Sequence, residues 1–319
     1  MDLGVMIEGQ EGLTWDLWRR IARATEDLGY ESLWRSDHFL SLGGPGEREA
    51  LETFISFVVV AEETERIRFG PLVCSMTFRH PSLLARMAAQ IDVLSGGRFI
   101  CGMGAGWNLR EHQAFGLPFP DVAERMDRLE ESVQVVQALW GDEPATFAGR
   151  YYQLQEATCY PKPVQRPLPV LVGGGGERRT LRIVARYAQE WNIVGLPIDG
   201  YLRKREVLER HCERVGRDPA EIRHTQMAAF VIGRDDAGVR AHMSRIAEHM
   251  PRFAGVPSED LLDRVREGGW LVGTAGEIVE EIGRREEAGI TRMMLQHHVS
   301  DDFDALEITA AEVLPQVQR

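Results

Sequence analysis

Residue types able to do chemistry gather in a few short stretches. Ser36-Asp37-His38-Phe39 sets a carboxylate beside an imidazole whose ordinary pKa lies near neutrality, which suits proton transfer next to a bound ring. The competing reading is that Asp37 caps a loop and His38 fills space. Thr77, Arg79 and His80 stand just before Pro81, a helix-starting proline. Arg79 either faces a phosphate or closes a salt bridge. In Gly102-Met103-Gly104-Ala105-Gly106-Trp107-Asn108 the small residues let backbone approach a ligand closely, and Trp107 either stacks on a flat cofactor or simply packs. The stretch fails the dinucleotide template, because the third required glycine falls on Trp107. The strongest local signal is Gly173-Gly174-Gly175-Gly176, set between the apolar run Pro169–Val172 and a helix. Its N–H groups, with the positive end of the helix behind them, make a phosphate seat. A tight turn needs one glycine, so four in a row favour a ligand. Arg178 and Arg179 can add charge there, with at least one of them pointing to solvent.

Other chemistries lack residues. His297 and His298 are adjacent on a predicted strand, so they point to opposite faces and cannot simply share a metal. No GxSxG elbow, HExxH or C-x-x-C spacing occurs, and no metal site is expected. The 319 residues carry 37 Lys and Arg against 49 Asp and Glu, a net charge of −12, which disfavours nucleic acid as a partner. No apolar run is long enough for a membrane span, and the first residues do not read as a secretory signal. The expectation is a cytoplasmic protein whose four cysteines are reduced thiols filling core space.

The elements that must position these residues alternate. Strands are predicted at Leu3–Ile7, Ser32–Trp34, Ile67–Cys74, Arg98–Met103, Leu168–Val172, Trp191–Val194, Gln226–Ile232 and Arg292–Gln296, each followed by a helix. Eight such units predict an α/β protein, a single (β/α)8 TIM barrel over 1–319, with insertions near 141–167 and 251–275. Thr146–Gln155 reads as a hairpin in the first insertion. The rival, an open doubly wound sheet, would need an early dinucleotide fingerprint. In a barrel the active site lies at the carboxyl ends of the strands, where all of the stretches above fall.

Taken together, these stretches resemble the luciferase-like flavin and deazaflavin oxidoreductases, closest to the branch that uses coenzyme F420. The resemblance rests on Ser36–Phe39, Thr77–Pro81, Ile91–Phe99, Gly104–Asn108, Glu111-His112, Phe115-Gly116, Gly149–Tyr152, Gly173–Gly176, Ala185–Ala188 and Trp191-Asn192, and covers nearly the whole chain. It implies a bacterial-luciferase-type barrel with a tricyclic ring lying across the strand ends and its phosphate in the glycine loop. Leu72, Val73, Thr77, Ala105, Gly106, Trp107, Gly173–Gly176 and Arg178 would then contact the cofactor, with Asp37 and His38 near ring and substrate. It also implies a cis peptide at Leu72–Val73 or its neighbour, with Val73 forming a bulge behind the ring.

The implied activity is F420-dependent hydride transfer to or from a small organic substrate, with His38 as acid or base. The alternatives are an FMN-dependent monooxygenase served by a separate flavin reductase, and a non-catalytic cofactor-binding barrel. One departure bears on substrate. Sugar-phosphate dehydrogenases of the deazaflavin branch carry Glu where Trp107 stands here, a Trp beyond the Asp-His pair, and basic residues for the substrate phosphate. Here Leu40-Ser41-Leu42-Gly43-Gly44 follows Phe39, and Gly195-Leu196-Pro197 carries no lysine. This argues against a sugar phosphate and for an apolar or aromatic substrate in a pocket of Leu42, Met76, Phe78 and Leu196. Family barrels often pair, which implies a homodimer through the helices holding Phe54, Ile55, Phe57 and Val58 or Leu83, Leu84 and Met87, although most of these residues are expected to face the barrel wall.

Overall fold

Strands buried along nearly their whole length, each followed by a helix, form a parallel barrel. The computed structural model describes residues 1–42, 44, 47–253 and 255–318; Gly43, in the stretch after Phe39, lies outside them. The strands are β1 (Asp2–Ile7), β2 (Ser32–Arg35), β3 (Arg68–Pro71), β4 (Cys74–Ser75), β5 (Cys101–Gly104), β6 (Ala145–Ala148), β7 (Gln153–Ala157), β8 (Val170–Gly173), β9 (Glu190–Val194), β10 (Arg223–Gly233), β11 (Leu271–Thr274) and β12 (Arg292–His297). The main sheet runs β3-β2-β1-β12-β10-β9-β8-β5-β4, all parallel. A parallel bridge between Phe69 and Phe99 joins β3 to the entry of β5 and closes the ring. Since β3 and β4 are two parts of one barrel strand, the wall is eight-stranded, as the alternation predicts.

Local chemistry explains the borders of the outer helices. Thr14 accepts from the Leu17 amide (3.2 Å) to cap Trp15–Asp27, and Pro81 occupies the first turn of Pro81–Leu94 behind a His80 cap. Three differences from the expected elements concern loops. The predicted strand Ile67–Cys74 is split, because the cis Leu72–Val73 peptide interrupts the ladder where the resemblance places it. A short helix, Leu109–Ala114, follows β5. The insertion near 251–275 holds the helix Ser258–Glu267 and β11, which adds a parallel strand along the far end of β10. The other insertion contains the expected hairpin, β6 with β7, whose turn amides at Arg150, Tyr151 and Tyr152 donate to the Glu131 carboxylate at 2.8–3.1 Å.

Inside the barrel the side chains form layers. The floor is ionic: Arg292, fully buried, donates to Glu31 (2.7 and 2.9 Å) and to Glu190 (2.5 Å). Above it sits an apolar layer of Met6, Trp34, Leu72, Ile100, Leu171, Met227 and Met294. The open layer at the carboxyl ends of the strands carries polar groups. The larger core lies between the strands and the helices outside them.

Candidate active site

The mouth of the barrel is built on Val73. A Cβ added at Gly104 or Gly173 would come within 2.5 or 2.9 Å of a Val73 methyl, and one at Gly102 would lie 3.2 Å from Val73 and 1.9 Å from Pro71 O, so three glycines on two strands, β5 and β8, make room here. The next loop is equally tight. Gly106 has φ +77°, and a Cβ there would lie 2.5 Å from Ser75 Oγ and 2.6 Å from Thr77 Oγ1. Thr77 Oγ1 is fixed in turn by Ser75 Oγ (2.6 Å) and His112 Nε2 (2.7 Å). Thus Val73 borders Gly173, and Thr77 borders Gly106, the residue after Ala105, at this end of the barrel, with Leu72 in the apolar layer below.

His38 stands at its edge. Its Nδ1 is 2.7 Å from Glu111 Oε2, and its ring meets Trp107 edge-on at 5.5 Å between centroids. Trp107 is 64% exposed, so of the two uses open to it plain packing is not the one seen. Glu111 is fully buried, and its other oxygen accepts from the Phe39 amide (2.6 Å) and the Leu40 amide (3.3 Å). Burial lowers the His38 pKa, but the Glu111 hydrogen bond and charge, with help from Glu8 and Asp37, outweigh it, so the net shift is upward. Burial likewise pushes the Glu111 carboxyl up, and the His38 contact and the two amides bring it below its ordinary value. The result is a buried carboxylate holding an imidazole that favours its protonated form. Glu111 as the partner of His38 escapes sequence reasoning, since 73 positions separate them; only its place in the loop after a different strand could have suggested it.

Asp37 is spoken for. Its Oδ1 accepts from Thr53 Oγ1 and Arg79 Nη2 (both 2.9 Å), and its Oδ2 from Arg79 Nη1 (2.5 Å) and the Ser75 amide (3.3 Å). Of the two uses open to Arg79, the salt bridge is the one seen.

The glycine loop leaves β8 with Gly174 at φ +122°. The Gly174 amide donates to Asn192 O, and the Trp191 indole donates to Gly174 O, both at 2.9 Å. Gly173 to Gly175 are half-buried and Gly176 is exposed. Among the described residues the Gly175 and Gly176 amides have no backbone acceptor. Arg178 is exposed, and Arg179 turns away to Asp127 and Ala123 O. Lys204, absent from the sequence reading, lies on this loop with Nζ 2.8 Å from Gly175 O.

A cavity of about 830 Å³ is lined by residues at the ends of β1, β9 and β12 and from the middle of β10. Glu8, held by Gln10 (2.8 Å) and Gln296 (2.5 Å), lines it, as do Trp270, Met227 and Arg252. The four-residue apolar pocket expected from the sequence does not form. Leu42 alone of the four lines this cavity; Met76 is buried in the main core, Phe78 stacks on Phe39 at 4.4 Å, and Leu196 packs partly against the core. Among the described residues, no group of three His, Cys, Asp or Glu is placed to hold a metal, and no helix is long and apolar enough to cross a membrane.

Known proteins share this architecture. The F420-dependent glucose-6-phosphate dehydrogenase of Intrasporangium calvum is 31% identical over 322 residues, covering 91% of each chain. A protein of the same description from Amycolatopsis mediterranei is 38% identical over 174 residues, covering 54% of this chain and 50% of that one, so the match spans half that relative's length. The solved structure of an F420-dependent secondary alcohol dehydrogenase in complex with an F420–acetone adduct shares the fold, with a TM-score of 0.84 and 24% identity over 100% of this chain and 99% of that one. The family model for luciferase-like monooxygenases matches residues 1–292, from before the first barrel strand to the first residue of the last, and the chain therefore belongs to the luciferase-like monooxygenase family.

Proposed function

We propose that this chain is a coenzyme F420-dependent oxidoreductase that transfers a hydride between C5 of the deazaflavin and a small organic substrate. The observation that carries the reading is His38, clamped on buried Glu111 at the end of the barrel that also carries the glycine loop. The residues fit a phosphorylated tricycle. Leu72, Val73, Thr77, Ala105, Gly106 and Trp107 would hold the ring, and Gly173–Gly176 the phosphate, with Arg178 at the outer edge. The relatives named for F420 support this cofactor over FMN.

When bound, the cofactor supplies two-electron chemistry, while the protein supplies position and electrostatics. Glu111 takes the Nδ1 proton of His38 as a hydrogen bond, which leaves Nε2 to give a proton to, or take one from, a substrate oxygen. Asp37 acts as a positioning residue, fixing the loop through Arg79 and the Ser75 amide. Walls such as Trp270, Met227 and Leu42 suit a largely apolar or aromatic substrate, and the polar floor at Glu8 and Gln296 suits one hydroxyl or carbonyl. Four free, buried cysteines suit a reducing cytoplasm.

Titration of purified protein with F420 and with FMN, followed by cofactor and tryptophan fluorescence, tests the reading. The expected result is F420 affinity exceeding FMN affinity by about tenfold or more, roughly 1.4 kcal/mol. The reverse order would replace it with an FMN monooxygenase served by a separate flavin reductase, and oxygen uptake would be measured next. Binding of neither would favour a non-catalytic barrel.

The protein is further proposed to be a homodimer. Phe54, Phe57 and Leu84 are buried, but Ile55 and Leu83, on the neighbouring helices Thr53–Glu63 and Pro81–Leu94, are 59% and 58% exposed, with Val58 beside them. Light scattering should give twice the 36.0 kDa chain mass, and Ile55→Asp with Leu83→Asp should halve it. A wild-type monomer would end this proposal.

A further inference from the structure

The glycine loop and the helix that follows β9 are locked together. Trp191 donates to Gly174 O and stacks on Tyr201 with ring centroids 5.8 Å apart and planes 20° from parallel. The Tyr201 hydroxyl is bonded to His224 Nδ1 (2.7 Å), so the start of the helix Ile198–Val215 cannot drift from the loop. Lys204 lies about one turn beyond Tyr201, on the same helix face. Its stem runs along the loop so closely that a Cβ at Gly175 would sit 3.1 Å from Cε and 3.2 Å from Cδ. Its Nζ donates to Gly175 O (2.8 Å) and pairs with Glu177 Oε1 (3.3 Å). An ammonium has three donors, so one remains unused by these two partners. The Glu177 side chain is 54% exposed, a solvated counter-ion that another anion can displace.

We propose that Lys204 is a specificity-determining residue for the cofactor's phosphate: it exchanges Glu177 for the phosphate ester on the ribityl chain and so selects phosphorylated rings over their nucleoside forms. The inference rests on the proposed cofactor reading but goes beyond it. The loop amides alone would hold any phosphate, whereas Lys204 adds a full charge from an element outside the loop. It also accounts for the glycine at 175, where a side chain would push the lysine stem away.

The test compares two ligands in the same fluorescence titration: F420, and the deazaflavin nucleoside that carries the same ring and ribityl chain without phosphate. Lys204→Gln is expected to weaken F420 binding about tenfold or more, the size of a lost charge-assisted hydrogen bond, and to change nucleoside binding less than about twofold. The salt dependence of F420 affinity should fall, and Lys204→Arg should restore most of the loss. Equal weakening of both ligands would mean that Lys204 only braces the loop, which overturns the proposal. Wild-type protein that binds F420 no better than the nucleoside would instead refute the phosphate seat itself. Should Lys204→Gln fail to fold, Glu177→Gln decides: it should tighten F420 binding and leave the nucleoside unchanged, and weaker F420 binding would overturn the assignment. If FMN is the ligand, FMN and riboflavin replace the pair.

Discussion

Exchange of His38 for alanine is expected to lower turnover about 10²–10⁴-fold while F420 still binds, because the change removes proton transfer without touching the glycine loop. Glu111→Gln should separate the roles of the pair. Two opposed effects act on His38: burial lowers its pKa, and Glu111 raises it by more. With the carboxylate gone burial remains, so the pKa should fall. In wild type the imidazolium persists above the ordinary value near 6.5, and a reaction needing it as donor declines as pH rises through the raised pKa. In Glu111→Gln that decline should move to lower pH, and in His38→Ala it should vanish. An NMR titration of the His38 ring measures the same shift without a substrate. An unmoved titration in Glu111→Gln would show that the contact does not set the charge of His38.

Arg292→Met should cost about 3–5 kcal/mol of stability, read from urea unfolding. The methionine fills much of the space, but the carboxylates of Glu190 and Glu31 stay behind in the barrel floor, the first buried and the second half-buried. Burial pushes the Glu31 carboxyl up, and Arg292 together with Ser32 and Arg223 brings it below its ordinary value. Arg223 approaches Glu31 no closer than 3.8 Å, so it cannot replace the lost hydrogen bonds. Adding Glu190→Gln to Arg292→Met should recover part of the loss. A single-variant loss below about 1 kcal/mol, the range of an exposed pair, would mean that water reaches the floor.

The barrel was legible because a parallel strand buried on both faces reads as a compact apolar run, and each run is followed by a helix. Val170 to Val172, buried throughout, show this well. β11 was missed because Leu271-Val272-Gly273-Thr274 is short and sits behind an insertion, where pairing with β10 rather than its own pattern makes it a strand. The individual loops of the site were visible as odd local composition: four glycines, an Asp-His pair, a Gly-Ala-Gly turn. What could not be read was the joining of one loop to another. His38 to Glu111, Asp37 to Arg79 and Lys204 to Gly175 are contacts between segments that follow different strands, set by strand order and not by spacing. The expected apolar pocket failed for the same reason, since neighbouring rings claimed Phe78 and the core claimed Met76.

The nest of Val73 also limits how this protein can change over generations. Gly104 and Gly173 belong to two different barrel strands, yet each is obliged to stay bare by the Val73 side chain, while Gly102 is barred chiefly by Pro71 O, 1.9 Å from where its Cβ would stand. A mutation adding a methyl group at Gly104 collides with Val73, while shrinking Val73 first leaves a void over three glycines. Val73, Gly104 and Gly173 therefore form a single heritable unit in which a first step in either direction is harmful alone. Lineages that alter the shape of this barrel end should do so by paired substitutions, and the sequences of distant relatives should carry either the whole set or a different one.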